Sequence, residues 1–148
     1  MLDGDKRDKQ FWMDFAMNRR VSQEDLDELA SLTELNGGCW SPASYCRVRQ
    51  RVTVIVPFRQ RESNLVSFLF HLHKFLQVQH RDYCVILAEQ GDHGPFNRGK
   101  LMNAGFDYVL RKAAGQFWKA AVPDCFIFHD VDLLPQDPRN LYDLVWRL

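Results

Sequence analysis

Apolar positions along the chain fall into blocks whose spacing switches between helical and strand-like. Ser22-Gln23-Glu24-Asp25 has the form of a capping box. Leu26, Leu29 and Leu32 follow at helical spacing and Gly37-Gly38 supplies a stop, which predicts a first helix. A polar, turn-rich connector runs from Pro42 to Gln50. Val52 to Val56 is a β-branched run closed by Pro57, the form of a short buried strand. Leu65, Phe68, Leu69, Leu72, Phe75 and Leu76 return to helical spacing and predict an amphipathic helix over Asn64–Gln79. Tyr83 to Ala88 reads as a second buried strand and Gly91 to Phe96 as a loop. Leu101, Met102, Phe106, Val109 and Leu110 mark a further helix. Lys112 to Val122 reads as an irregular excursion, and Asp124 to Phe128 as a third strand. Met1 to Val21 shows no clear period.

Strand, helix, strand, helix, strand is the order of parallel strands joined by right-handed crossovers, so an α/β layered fold with a parallel central sheet and flanking helices is expected. All three strands then end on one edge, where open α/β sheets bind ligands. Three polar segments converge there: Pro57-Phe58-Arg59-Gln60-Arg61, the loop around Gly91, and Asp130-Val131-Asp132.

Composition narrows the classes. The 148 residues suit about one domain, and 46% hydrophobic with 13% aromatic content is ample for a core. A formal net charge of +0 and a pI near 7.0 imply no general pull toward nucleic acid or an anionic membrane. No apolar stretch approaches the ~18 residues of a membrane span, and the charged N-terminus is no signal peptide. The cysteines Cys39, Cys46, Cys84 and Cys125 include no Cys-x-x-Cys pair, which argues against zinc. Cys84 and Cys125 sit in strand-like runs and read as small buried hydrophobes. Cys39 and Cys46 flank a turn and are candidates for oxidation in a secretory compartment.

The chemistry concentrates at the strand ends. Two carboxylates one residue apart, Asp130 and Asp132, are placed to hold a hard divalent cation against a phosphate; the plain structural reading is a strand cap and a turn. Arg59 and Arg61 are suited to bidentate phosphate contact. One of the two is expected to face the crevice. Phe96 at a loop tip either stacks on a planar base or plugs the core. Arg98 and Lys100 stand at a helix start, against the dipole, and Arg98 has Asp130, Asp132 or a ligand phosphate as its potential partner. His71 and His73 are two apart on a helix and do not share a face, which speaks against a metal pair. His93 is expected to be a solvated loop residue, and His129 to point away from the acids.

These residues carry a resemblance. The segments Pro57-Phe58-Arg59-Gln60-Arg61, Phe96-Asn97-Arg98-Gly99-Lys100-Leu101-Met102-Asn103-Ala104-Gly105-Phe106 and Phe128-His129-Asp130-Val131-Asp132-Leu133-Leu134-Pro135 resemble the successive motifs of the β-1,4-galactosyltransferase family. Gly37-Gly38-Cys39-Trp40-Ser41-Pro42 with Cys46 resembles the segment before that family's first strand. The resemblance runs from Gly37 to Tyr142 and implies a GT-A type (Rossmann-like) nucleotide-sugar fold. It further implies Mn²⁺-dependent, inverting transfer of galactose or N-acetylgalactosamine from a UDP-sugar to a sugar acceptor in β-1,4 linkage. By motif, Pro57, Phe58, Arg59, Arg61, Phe96 and Arg98 would bind UDP, with Asp130 and Val131 beside the nucleotide and Asp132 as a Mn²⁺ ligand.

The resemblance also sets expectations about extent. Residues 1–36 would be a helical, stem-like segment and 37–148 the N-terminal part of the catalytic domain, truncated at its carboxyl end. The family's Trp-Gly-Trp-Gly-x-Glu-Asp-Asp-Asp segment, with the expected general base, and its later His-containing metal motif have no counterpart here, so no catalytic base is assigned. The family cysteine expected to bridge to the position of Cys125 is replaced by Leu144. Relatives are membrane-anchored enzymes of the Golgi lumen; no anchor is visible in this chain. The competing readings are a haloacid-dehalogenase-like phosphatase, with Asp130 as nucleophile, and a non-catalytic UDP-binding remnant or incomplete gene product.

Overall fold

A computed structural model describes residues 21–34, 38–42, 50–113, 123–137 and 139–142. In chain order the elements are α1 (Gln23–Glu34), β1 (Cys39–Trp40), β2 (Arg51–Phe58), α2 (Glu62–Val78), β3 (Asp82–Glu89), α3 (Arg98–Tyr108), a π-helical turn (Val109–Ala113) and β4 (Cys125–Phe128). The strands form one sheet in the order β1-β3-β2-β4. β3 and β4 both run parallel to β2, and β1 lies antiparallel to β3. The sheet is therefore mixed, because an unexpected two-residue strand adds at its edge.

The capping box at α1 is reciprocal: the Asp25 amide donates to Ser22 Oγ (3.2 Å) and the Ser22 amide to Asp25 Oδ2 (2.9 Å). Leu29 carries the buried stripe, Gly37 and the side chains of Leu26 and Leu32 lie outside the described residues, and Glu28 pairs with Lys74 of α2. Gly38 then turns the chain into β1 with φ of 87°, a left-handed value favouring glycine. Its carbonyl accepts from the Val85 amide at 3.0 Å.

β1 also corrects the cysteine expectation. Cys39 and Cys84 are register partners across β1 and β3 and form a disulfide. Cys84 is thus covalently bonded rather than a plain buried hydrophobe. Cys125 is buried, as expected; Cys46 lies outside the described residues.

β2 runs through Pro57 instead of ending before it. The backbone groups of Arg51 and Ile55 bond toward β4, while that of Phe58 bonds toward β3 at the Gln90 amide. By alternation Pro57 faces the β4 side, one step past the last pair, Ile55 with Phe128. Its missing N–H falls where the ladder has ended.

The two faces of β2 are covered by different helices. Val52, Val54, Val56 and Phe58 pack with Phe68, Leu72, Phe75 and Leu76 of α2 in the main core. Ile55 points the other way, against Gly105 of α3. From β2 the chain crosses to β3 on one side, then returns past β2 to β4 on the other. The ends of β2 and β4 therefore meet at a topological switch point, the place where such sheets open a crevice.

Candidate nucleotide-binding cleft

At that switch point lies a cleft of about 470 Å³ lined by Pro57, Arg59, Gln60, Arg61, Phe96, Arg98, Asp130, Val131 and Asp132. All three polar loops contribute. Among the residues singled out from sequence, Phe58 does not line it: its side chain is buried in the α2-side core.

Arg59 and Arg61 both line the cleft, where one was expected. Residues two apart share a side of an extended segment, so alternation itself allows both. Gln60 between them has a φ of 51°, in the left-handed region. A non-glycine residue held there costs on the order of 1 kcal/mol or more, a strain that tends to occur where a loop is shaped for a ligand. Gln60 itself lines the cleft and was not singled out from sequence; nothing in an isolated glutamine signals a left-handed backbone.

The second loop is organised by another overlooked residue, Gln90. Its Nε2 donates to Asp92 Oδ1 (2.7 Å), the Pro95 carbonyl (3.1 Å) and the Gly94 carbonyl (3.3 Å). Its Oε1 accepts from the Asn97 amide (2.9 Å). Asn97 in turn caps α3 by accepting from the Lys100 amide at 3.0 Å. The loop presents Phe96 at 45% exposure, so this ring is no core plug. Arg59 reaches across, donating to the Gly94 carbonyl (2.6 Å) with its guanidinium carbon 5.6 Å from the Phe96 ring centre.

In the third loop the two acids differ. Asp130 holds Arg98 in a bidentate pair, Nε to Oδ1 at 2.6 Å and Nη2 to Oδ2 at 2.9 Å. The hydrogen bond and charge of Asp130 raise the Arg98 pKa, and the pairing answers which partner offsets a cation at a helix N-terminus. Asp132 is exposed, and among the described residues no hydrogen bond or ion pair engages its carboxylate or the Arg61 guanidinium. Val131 between them is buried and pins the turn to the core. His129 faces away, packed on Phe68 with a ring separation of 5.0 Å and bonded to the Tyr142 hydroxyl at 2.7 Å. Burial lowers its pKa and lifts that of Tyr142 to about 12. His93 is an exposed loop residue.

No group of three or more His, Cys, Asp or Glu able to hold a metal exists among the described residues. The cleft thus offers a cation a single free carboxylate beside free and partly committed guanidiniums. That donor set fits a hard divalent ion sharing its coordination with phosphate oxygens and water, not an all-protein cage.

The class follows from this fold and cleft together with the sequence match: the chain belongs to glycosyl transferase group 7, whose N-terminal-region model covers residues 7–144. More particularly, it is similar to β-1,4-galactosyltransferases. With β-1,4-galactosyltransferase 4 of Cricetulus griseus it shares 44% identity over 109 residues, 74% of this chain and 29% of that protein. With human β-1,4-galactosyltransferase 3 it shares 42% over 127 residues, 82% of this chain and 30% of the relative. A crystal structure of a Drosophila β-1,4-galactosyltransferase 7 mutant in complex with manganese, UDP-Gal and xylobiose superposes with a TM-score of 0.55 at 32% identity, covering 66% of this chain and 37% of that one. The fold is therefore GT-A, and the chain spans about 30% of the length of the curated relatives it matches.

Proposed function

We propose that the cleft binds the nucleotide diphosphate of a UDP-sugar, and that the protein it serves transfers galactose, or N-acetylgalactosamine, to a sugar acceptor in β-1,4 linkage with inversion. The observation that carries this reading is the convergence of Arg59, Arg61, Phe96, Arg98 and Asp132 on one cleft at the switch point. Arg61 and Arg59 supply cationic donors for phosphate oxygens. Phe96, exposed and topped by Arg59, offers a flat apolar face to a base. Pro57 and Val131 form the cleft wall, and the Phe58 ring supports it from the core side. Arg98 and Asp130 act as a pair: Asp130 fixes the guanidinium plane and stands beside the nucleotide. Asp132 is the protein ligand for Mn²⁺, which when bound would neutralise charge on the departing diphosphate. The general base is not assigned to any residue described here.

In this reading residues 37–148 belong to the catalytic domain and residues 1–36 to a preceding stem-like segment, and the setting is the Golgi lumen. The Cys39–Cys84 disulfide favours an oxidising compartment. Among the described residues no helix is long and apolar enough to cross a membrane. The separation of Asp130 onto Arg98, and the position of the acid loop after the third parallel strand, disfavour an aspartyl nucleophile.

Paramagnetic broadening tests the site. In ¹⁵N-labelled protein, Mn²⁺ with UDP should broaden the amide signals of Asp132, Arg61 and Val131 first and leave those of α1 sharp. Broadening centred elsewhere, or spread evenly over exposed carboxylates, would remove the cleft from consideration.

A further inference from the structure

The donor-cleft reading leaves unexplained why α2 buries His71 among its apolar residues. His71 is 1% exposed, stacked on Phe75 with ring centres 6.1 Å apart, and its Nε2 lies 2.6 Å from the carbonyl oxygen of Pro135, 64 residues away. A carbonyl can only accept, so Nε2 carries the proton and donates. Burial lowers the His71 pKa and outweighs the Pro135 hydrogen bond, which raises it, so the ring stays neutral.

Pro135 is the exit of the acid loop. The entry is fixed by the His129 amide, which donates to the Ile55 carbonyl of β2 at 3.0 Å. Between these two anchors Val131 is buried and the Leu133 amide closes the turn on the Asp130 carbonyl at 3.3 Å. Downstream, Gln79 at the end of α2 clasps the same segment by both ends of its amide: Nε2 donates to the Asn140 carbonyl (3.1 Å) and Oε1 accepts from the Tyr142 amide (3.2 Å). Tyr142 returns to His129 through its hydroxyl. Side chains of α2 and its C-terminal cap thus hold the segment that follows the acid loop, and of these bonds the one nearest Asp132 comes from His71.

We infer that His71 is a positioning residue for the donor site: by holding the Pro135 carbonyl it fixes the exit of the Asp130–Asp132 turn and so sets where the Asp132 carboxylate stands in the cleft. The inference rests on the donor-cleft reading for its functional consequence, while the clamp itself is a statement about the loop alone.

Two amide substitutions separate position from polarity. A glutamine places its amide nitrogen where Nε2 of histidine lies, and an asparagine where Nδ1 lies. His71→Gln keeps the bond to Pro135 and His71→Asn loses it, leaving a buried carbonyl unpaired. Amide hydrogen exchange at Leu133 reads the turn, the thermal midpoint reads general core damage, and calorimetry with Mn²⁺ and UDP reads the cleft. His71→Asn should speed Leu133 exchange about tenfold and weaken Mn²⁺-dependent UDP binding by a similar factor. His71→Gln should stay within about twofold of wild type in both. Equal behaviour of the two variants, or Leu133 exchange in His71→Asn that follows the change in thermal midpoint alone, overturns the inference. If the wild-type chain binds no UDP with Mn²⁺, the donor-cleft reading fails, and the exchange measurement still decides the clamp.

Discussion

At Gly105 α3 comes close to Ile55 of β2, and adding one methyl there tests how tightly the cleft is built. A Cβ at this position would stand 2.7 Å from Ile55 Cγ2 and 3.6 Å from Ala88 Cβ. Favourable carbon contacts lie at roughly 3.5–4.0 Å, so one of the partners must move by about 1 Å. Ile55 is 0% exposed in the central strand and bonded by its carbonyl to His129, so the sheet does not yield easily. Forcing a methyl into such a contact costs ~1–3 kcal/mol. Alanine returns ~1 kcal/mol over glycine inside a helix. Gly105→Ala should therefore destabilise by ~0–2 kcal/mol in urea unfolding. Because Arg98 opens the same helix, a displaced α3 should also weaken UDP binding. In an Ile55→Ala background the clash is gone, and Gly105→Ala should then stabilise by ~1 kcal/mol. A single Gly105→Ala variant stabilised by ~1 kcal/mol with UDP affinity unchanged would refute the close approach of α3 to β2.

Removing the Cys39–Cys84 bridge, which spans 45 residues, should cost up to ~4 kcal/mol on the chain-entropy account, seen as a lower thermal midpoint of the double serine variant or under reductant. At position 60, Gln60→Gly should keep UDP affinity and Gln60→Val should lower it, since a β-branched residue resists the left-handed backbone of this cleft-lining loop; equal affinities would contradict this. Stability should also fall on acidification. Burial lowers the pKa of His71, His73 and His129, that of His73 to about 4, so the unfolded chain takes up protons first. The stabilisation is complete above pH ~6.5 and is lost as pH drops toward ~4, with His73 alone contributing roughly 3 kcal/mol across that window. Denaturation midpoints between pH 7.5 and 4.5 check the sign, and a flat profile opposes it.

Much of this was readable from spacing. The long apolar blocks of α2, β2 and β3 were found because buried parallel strands and an amphipathic helix leave continuous or periodic signals, and their order fixed which loops share an edge. β1 escaped because two residues carry no period, and with it went the Cys39–Cys84 pairing. The end of β2 was misjudged at Pro57, since whether a proline ends a strand depends on how far its neighbour reaches. Arg59 and Arg61 are two apart, so alternation alone puts them on one side, whereas the left-handed Gln60 between them is a tertiary outcome. The choice of Asp130 over Asp132 as partner of Arg98 is likewise a matter of distance between loops. Helical spacing speaks against His71 and His73 as a metal pair, and it gives no hint that His71 reaches Pro135.

The most direct test of the donor-cleft account is a calorimetric titration of UDP into the wild-type chain and into Asp132→Ala, each with Mn²⁺ and with EDTA. The single free carboxylate at Asp132 predicts binding that needs Mn²⁺ in the wild type and is lost in Asp132→Ala, with no gain from adding the metal. UDP affinity equal in Mn²⁺ and EDTA, or left intact by Asp132→Ala, would contradict the account.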